Sequence, residues 1–311
     1  MILEIILLLA GIALVLWGAD RFTDGASGLA RKWHVSELVI GLTIVAAGTS
    51  LPEFMVSLLS SLHGSADMSA GNIIGSNIFN SLVILGASAL MMPLAVDRAL
   101  LFRDIPITFA VSVLFLALVF FDGHICRGDS VVLLMFFAAY LYYTYHVATH
   151  NKPAQPTGEI VTTASYPILI LQIVVGMAAL VIGARLMVTE GASMARQWGV
   201  SETVIGLTIL AGGTSLPELA TSMVAARKGS HGLAVGNVIG SNVFNIAFVL
   251  GTCALIRPME VNDITMADWI TLVGSTVVVW IVAFTRGKIE KWEGMFLLLC
   301  YGAYMANLLC K

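Results

Sequence analysis

One offset constrains this chain more than any other feature. Moved along by 165 residues, the segment GLTIVAAGTSLPE from Gly41 to Glu53 falls on GLTILAGGTSLPE from Gly206 to Glu218. The next block, GNIIGSNIFN from Gly71 to Asn80, falls on GNVIGSNVFN from Gly236 to Asn245. The same shift places Gly18 on Gly183, Trp33 on Trp198, Gly86 on Gly251 and Pro93 on Pro258. A register held that far marks a tandem duplication, so the fold is built from two copies of one unit. In each copy the blocks set one glutamate and several small polar residues in otherwise apolar sequence, and function is expected there.

The apolar background identifies the solvent. Hydrophobic residues make up 58% of the 311 and charged residues 11%, more apolar than a soluble domain of this length. Runs of about 18 apolar residues, enough to cross a hydrocarbon core about 30 Å thick, recur throughout. Ten spans are expected, at 2–30, 37–62, 70–92, 104–121, 129–148, 166–195, 202–226, 234–256, 267–285 and 292–309. Residues 1–18 read as the first span rather than a signal peptide: Glu4 stands where a basic segment belongs, and no small-x-small cleavage site leads to a soluble domain. The polar stretch from His146 to Thr163 joins the copies, giving a first half at 1–148, a cytoplasmic linker at 149–165 and a second half at 166–311. A net charge of −3 argues against a nucleic-acid role. Cys126, Cys253, Cys300 and Cys310 have no metal-binding spacing and read as packing residues. No cofactor and no obligatory protein partner is expected, only membrane lipid.

Five spans per half is an odd number, so the second copy is expected upside down relative to the first. Equivalent loops should then exchange their basic residues. Arg31-Lys32 aligns with Arg196-Gln197, Leu62-His63 with Arg227-Lys228, Arg98 with Asp263 and Arg103 with Asp268. With the N-terminus outside, Arg31, Lys32, Arg98, Arg103, Lys152, Arg227, Lys228, Arg286, Lys288 and Lys291 fall on the cytoplasmic side. Arg127, Arg196, Arg257 and Lys311 fall outside. The expected fold is an all-α integral membrane protein of ten transmembrane helices in two inverted-topology five-helix repeats, both termini outside, with binding near the midplane.

The blocks carry the chemistry. An ionised carboxylate in a bilayer costs roughly 2.5 kcal/mol or more and persists where it meets a partner. No Lys or Arg lies within a helical turn of Glu53 or Glu218. A lone glutamate of this kind is as readily protonated or near a span end. Two at matching positions of inverted halves are drawn together at the centre, where they need a cation. Pro52 and Pro217 each remove a helical hydrogen bond and disfavour helix in the residue before. With Gly48 and Gly212-Gly213, they predict a helix broken just ahead of each glutamate. Carbonyls freed at membrane depth are tolerated only where they line a cavity, and Thr49, Ser50, Thr214 and Ser215 add hydroxyls at that level. The plainer reading is a proline kink with Ser and Thr bonded back to the backbone. Asn72, Ser76 and Asn80, spaced by four, form one polar stripe on a helix, and Asn237, Ser241 and Asn245 repeat it. Gly71, Gly75, Gly236 and Gly240 beside the stripes suit close helix packing. Asn77 and Asn242 lie off the stripes and are expected to brace the broken helix. Carboxylates, amides, hydroxyls and carbonyls without His or Cys make a site for a hard cation such as Ca2+.

The paired GTSLPE and GNxxGSNxFN blocks closely resemble the α-repeats of the cation/calcium exchanger (CaCA) superfamily, in particular its prokaryotic sodium/calcium exchanger-like, YrbG-type members. The resemblance covers nearly the whole chain. It implies Na+ and Ca2+ as substrates, exchanged by alternating access in a bacterial-type inner membrane, with Glu53 and Glu218 binding Ca2+ and also contacting the sodium sites. It implies inner sodium ligands at Thr49, Ser50, Ser76 and the Ala46 carbonyl, and outer ones at Thr214, Ser215, Ser241 and the Ala211 carbonyl. Asn80 and Asn245 would flank the central site, and the first helix of each half would slide past the core. One departure stands out: members of this family usually carry Asp where this chain has Asn245. The same site would also serve H+/Ca2+ or K+-linked antiport. A cation channel is a further alternative. An intramembrane enzyme is disfavoured, since the chain holds no GxSxG or HExxH.

Overall fold

The computed structural model describes residues 2–63, 66–120, 123–150, 164–199, 211–261 and 264–309. They are mostly helical, as lipid requires of any backbone that must satisfy its own polar groups. Helix α1 is Ile2–Trp33. The next helical run bends: Glu37–Thr49 (α2) meets Leu51–Leu62 (α3) at 45°. Helix α4 begins as Ala66–Phe79 and continues through Asn80–Ile84 to Met91, α5 is Leu100–Val119 and α6 is Arg127–His150. The second half opens with α7, Tyr166–Gln197, followed by the short α8, Ala211–Gly213, and by α9, Leu216–Arg227. Helices α10 (His231–Ile256), α11 (Met266–Arg286) and α12 (Lys291–Leu309) complete the chain. Seven of these are long and apolar enough to cross a membrane, or eight counting the bent pair as one span. The expected ten are therefore not all met by that count among the described residues. Residues 200–210 lie outside them, which leaves α9 only 12 residues, and α12 carries Lys291 and Glu293 in its first turn.

The two longest helices, α1 and α7, each of 32 residues, pack along their length. A Cβ added to Gly11 would lie 2.9 Å from the Gly183 carbonyl oxygen, and one added to Gly18 would lie 2.7 Å from that of Gly176. Rising numbers on one helix meet falling numbers on the other, so the two run antiparallel. Gly11 and Gly18 correspond to Gly176 and Gly183 under the 165-residue offset, so the contact is reciprocal. Small residues every seventh position let the backbones approach this closely.

Two short strand pairs tie the halves together. Strand β1 (Leu94–Ala95) pairs antiparallel with β4 (Lys288–Ile289), and β2 (His124–Ile125) with β3 (Met259–Glu260). Val96 N–H donates to the Gly287 carbonyl at 2.9 Å, and its equivalent Val261 N–H donates to that of Gly123 at 2.8 Å. Gly123 and Gly287 sit at φ of 67° and 65°, left-handed conformations that glycine adopts without strain. The tail of α1 stays helical to Trp33 and pairs with the second half. Lys228 Nζ lies 2.7 Å from Asp20 Oδ1 and 2.6 Å from Asp24 Oδ1. On α10, Gly236 and Gly240 press against Leu38 and Leu42, with Cβ positions 2.8 and 2.6 Å from their carbonyl oxygens. The matching faces of Gly71 and Gly75 correspond to positions 203 and 207, outside the described residues.

Candidate cation site

Each glutamate stands just past a break in its helix. Ser50 has φ −83° and ψ 9°, and Ser215 has φ −87° and ψ 8°, both off the helical path. Helices α3 and α9 restart there with Pro52 and Pro217 near their first positions and Glu53 and Glu218 in their first turns. A helix N-terminus favours negative charge. Both side chains are 0% exposed.

The breaks face one another. Ser50 Oγ donates to Glu218 Oε1 at 2.8 Å, and Ser215 Oγ donates to Glu53 Oε1 at 2.9 Å. Each serine precedes its own glutamate by three residues and bonds to the other copy's glutamate, which draws both carboxylates to one place. Glu53 Oε2 and Glu218 Oε2 are buried with no hydrogen-bond partner. Among the described residues no basic side chain pairs with either. Two buried carboxylates in that condition are costly unless a cation or protons balance them.

The other expected ligands gather at the same level. Thr214 Oγ1, Ser76 Oγ, Asn80 Oδ1 and Asn245 Oδ1 are also buried without a partner. Six of the ten expected side-chain ligands thus carry an unused oxygen. Thr49 Oγ1 donates to Asn237 Oδ1 at 3.0 Å, and Ser241 Oγ lies 3.5 Å from the Ala46 carbonyl oxygen. That carbonyl also accepts Ser50 N–H at 3.0 Å. Ala211, the equivalent of Ala46, opens α8 ahead of the second break. Among the described residues no three His, Cys, Asp or Glu side chains converge. The oxygens beside the carboxylates are neutral hydroxyls, amides and carbonyls, the set that suits a hard cation taking six to eight of them.

The bracing of the glutamate helices differs from expectation. Asn72 Nδ2 donates to the Glu53 carbonyl at 3.4 Å and to Ser57 Oγ at 3.0 Å. Its equivalent Asn237 donates to the Glu218 carbonyl at 3.3 Å and to Ser222 Oγ at 2.9 Å. These stripe residues brace α3 and α9, the task expected of Asn77 and Asn242. Those two instead join α4 to α10: Asn77 Nδ2 donates to the Asn242 carbonyl at 3.1 Å, and Asn242 Nδ2 to Ser81 Oγ at 2.9 Å. Sequence reasoning passed over Ser57 and Ser222. Their signal was present, as each lies four residues past its glutamate and the two match under the 165-residue offset. It also missed the π-helical turns Gly41–Val45, Asn80–Ile84 and Phe244–Leu250. Such turns loosen the helical hydrogen-bond ladder and recur at functional sites, and here they hold Asn80 and Asn245. The carbonyl of Leu42, within the first of them, accepts Tyr140 Oη–H at 3.3 Å.

Comparison with known proteins gives the family. Residues 3–146 and 168–309 match the family described as sodium/calcium exchanger protein. The chain is 36% identical to the putative antiporter CaxA of Alkalimonas amylolytica over 98% of each chain. It is 38% identical to the inner membrane protein YrbG of Escherichia coli over 85% of this chain and 83% of that one. It is 31% identical to the sodium/calcium exchanger MaX1 of Methanosarcina acetivorans over 97% of each. The solved structure of the sodium-calcium exchanger NCX_Mj, soaked with Na+ and Ca2+, superposes with a TM-score of 0.86 at 32% identity, covering 99% of both chains. This chain therefore belongs to the sodium/calcium exchanger family, among the YrbG-type prokaryotic members of the CaCA superfamily of membrane antiporters.

Proposed function

We propose that the protein is a secondary-active antiporter that moves Ca2+ against Na+ by alternating access at a site between its two halves. The observation that carries this reading is the crossed pair of Ser–Glu hydrogen bonds, with one unused oxygen on each buried glutamate. Two carboxylates balance one divalent ion or two monovalent ones, so Ca2+ and Na+ competing for the same oxygens are exchanged rather than carried together. Glu53 and Glu218 bind Ca2+ and contribute to the Na+ positions. Thr49, Ser50, Ser76 and the Ala46 carbonyl complete the inner set, and Thr214, Ser215, Ser241 and the Ala211 carbonyl complete the outer one. Asn80 and Asn245 flank the centre.

Ten spans in two inverted halves underlie this mechanism. The antiparallel crossing of the equivalent helices α1 and α7 supports inversion, because equivalent elements of upright repeats would run in parallel. The strand pairs support it too: each joins the loop after one half's third helix to the loop after the other half's fourth, which share a membrane face only if one half is turned over. With the N-terminus outside, the Lys228 contact to Asp20 and Asp24 lies on the cytoplasmic side. Alternating access would then come from α1 and α7 sliding along α2–α4 and α8–α10.

The test is Ca2+ counterflow in proteoliposomes, with Na+, K+ and H+ gradients imposed separately. Uptake that follows the Na+ gradient alone supports the reading. Uptake that follows only pH or only K+ transfers the coupling to that ion, and currents too large for a cycling carrier would replace the antiporter with a channel.

A further inference from the structure

A carboxamide offers a cation a right end and a wrong one. Turned oxygen-first, Asn80 or Asn245 stabilises an ion; turned NH2-first, it repels one. The two ends are nearly alike in size, so packing alone does not choose between them, and hydrogen bonding must. We infer that Asn77 and Asn242 make that choice: they are positioning residues that hold the Asn80 and Asn245 amides oxygen-first toward the cation. The inference rests on the site reading given above.

A main-chain carbonyl anchors the Asn77–Asn245 pair, and the Asn242–Asn80 pair repeats the arrangement. Asn77 Nδ2 donates to the main-chain carbonyl of Asn242 at 3.1 Å. A carbonyl only accepts, so the Asn77 amide has one orientation, and its Oδ1 is left as an acceptor. Asn245 Nδ2 fills that acceptor at 3.1 Å, which leaves Asn245 Oδ1 buried and unpartnered. In the other copy, Asn242 Nδ2 donates to Ser81 Oγ at 2.9 Å, and Asn242 Oδ1 accepts from Asn80 Nδ2 at 3.2 Å. Asn80 Oδ1 is likewise buried and unpartnered. All four side chains are at most 2% exposed, so each amide is held by the partners named here. Asn77 and Asn242 are equivalent under the 165-residue offset, as are Asn80 and Asn245. Each copy's outer asparagine therefore orients the other copy's inner one, and the pair cannot be set without both halves docked.

A double-mutant cycle on the purified full-length protein separates this role from simple packing, with 45Ca2+ binding as readout. Asn77→Leu keeps the volume and removes the acceptor that fixes Asn245, and should weaken Ca2+ binding by about tenfold or more, the worth of one charge-assisted oxygen contact. Asn245→Asp has no wrong end, so adding Asn77→Leu to it should cost nothing in affinity, or relieve repulsion and improve it. Equal losses from Asn77→Leu in both backgrounds would overturn the inference in favour of packing, and so would no loss in either. Asn242→Leu, paired with Asn80→Asp, should repeat the pattern if Asn77→Leu alone fails to fold. Glu53→Gln is the control for the site itself. If it binds Ca2+ like the unaltered protein, the site reading falls and this inference with it. If it has lost binding while Asn77→Leu has not, only the orienting role falls.

Discussion

Replacing Gly18 with alanine tests the central packing contact in a way the structure quantifies. The new Cβ would lie 2.7 Å from the Gly176 carbonyl oxygen and 2.9 Å from the Leu180 main-chain nitrogen. Both are backbone atoms that cannot swing aside. Ordinary contact begins at 3.4 Å, so α1 and α7 must part by about 0.7 Å in a tightly packed interior. Overpacking of this kind costs about 1–3 kcal/mol. Gly176→Ala meets the same obstacle from the other side, with its Cβ 2.6 Å from Phe22 N and 2.8 Å from the Gly18 carbonyl oxygen. One separation of the helices accommodates both methyls, so the double variant should lose clearly less than the two single losses added together. Gly302→Ala is the control: nothing lies within 4 Å of its Cβ position, and alanine there should be neutral or stabilising by up to about 1 kcal/mol. Thermal unfolding of the purified protein measures all four. Single variants within about 0.5 kcal/mol of the unaltered protein, or strictly additive losses, would refute the antiparallel crossing as described.

Other consequences can be checked with the same preparation. Ser50→Ala and Ser215→Ala each remove the hydroxyl that pins the opposite glutamate; Ca2+ affinity should fall about tenfold in each, judged by uptake at varied Ca2+. Lys228→Gln breaks the contacts to Asp20 and Asp24. These groups are partly exposed, so the loss should be at most about 1 kcal/mol in dilute buffer and should vanish in molar salt, as thermal unfolding at both will show. For orientation, single cysteines at the equivalent positions Met92 and Arg257 in a cysteine-free background should react with an impermeant thiol reagent from opposite sides, Arg257 from outside; labelling from the same side would break the inverted arrangement.

What the sequence revealed follows from which interactions leave a periodic or repeated trace. The duplication located both glutamates, and Pro52 with Gly48 announced the break that appears as the 45° bend. The spacing of Asn72, Ser76 and Asn80 gave a stripe but not its neighbours. Asn72 therefore turned out to hold the Glu53 carbonyl, and Asn77, one residue past Ser76, reached the other half instead. Spacing within a helix reports a face; only docking decides what that face meets. The two-residue strands at Leu94–Ala95 and Lys288–Ile289 are too short for any alternation to show. The π-helical turns hold Leu42, Asn80 and Asn245, and no residue preference marks them in the sequence. Helix α5 starts at Leu100 rather than the expected 104 because its first turn is one of these, Leu100–Asp104. The Asp104 at its end is 1% exposed and paired with Arg103 at 2.7 Å, so a charge that looked like a span boundary lies inside the structure.

Na+-gradient-driven 45Ca2+ uptake into proteoliposomes carrying the unaltered protein, Glu53→Gln or Glu218→Gln tests most directly whether two mirrored carboxylates share one cation. Each glutamine keeps the shape of the side chain and removes the charge that the ion balances, so the unaltered protein should accumulate Ca2+ and both variants, folded and reconstituted equally, should accumulate none. Uptake persisting in either variant would contradict a shared site.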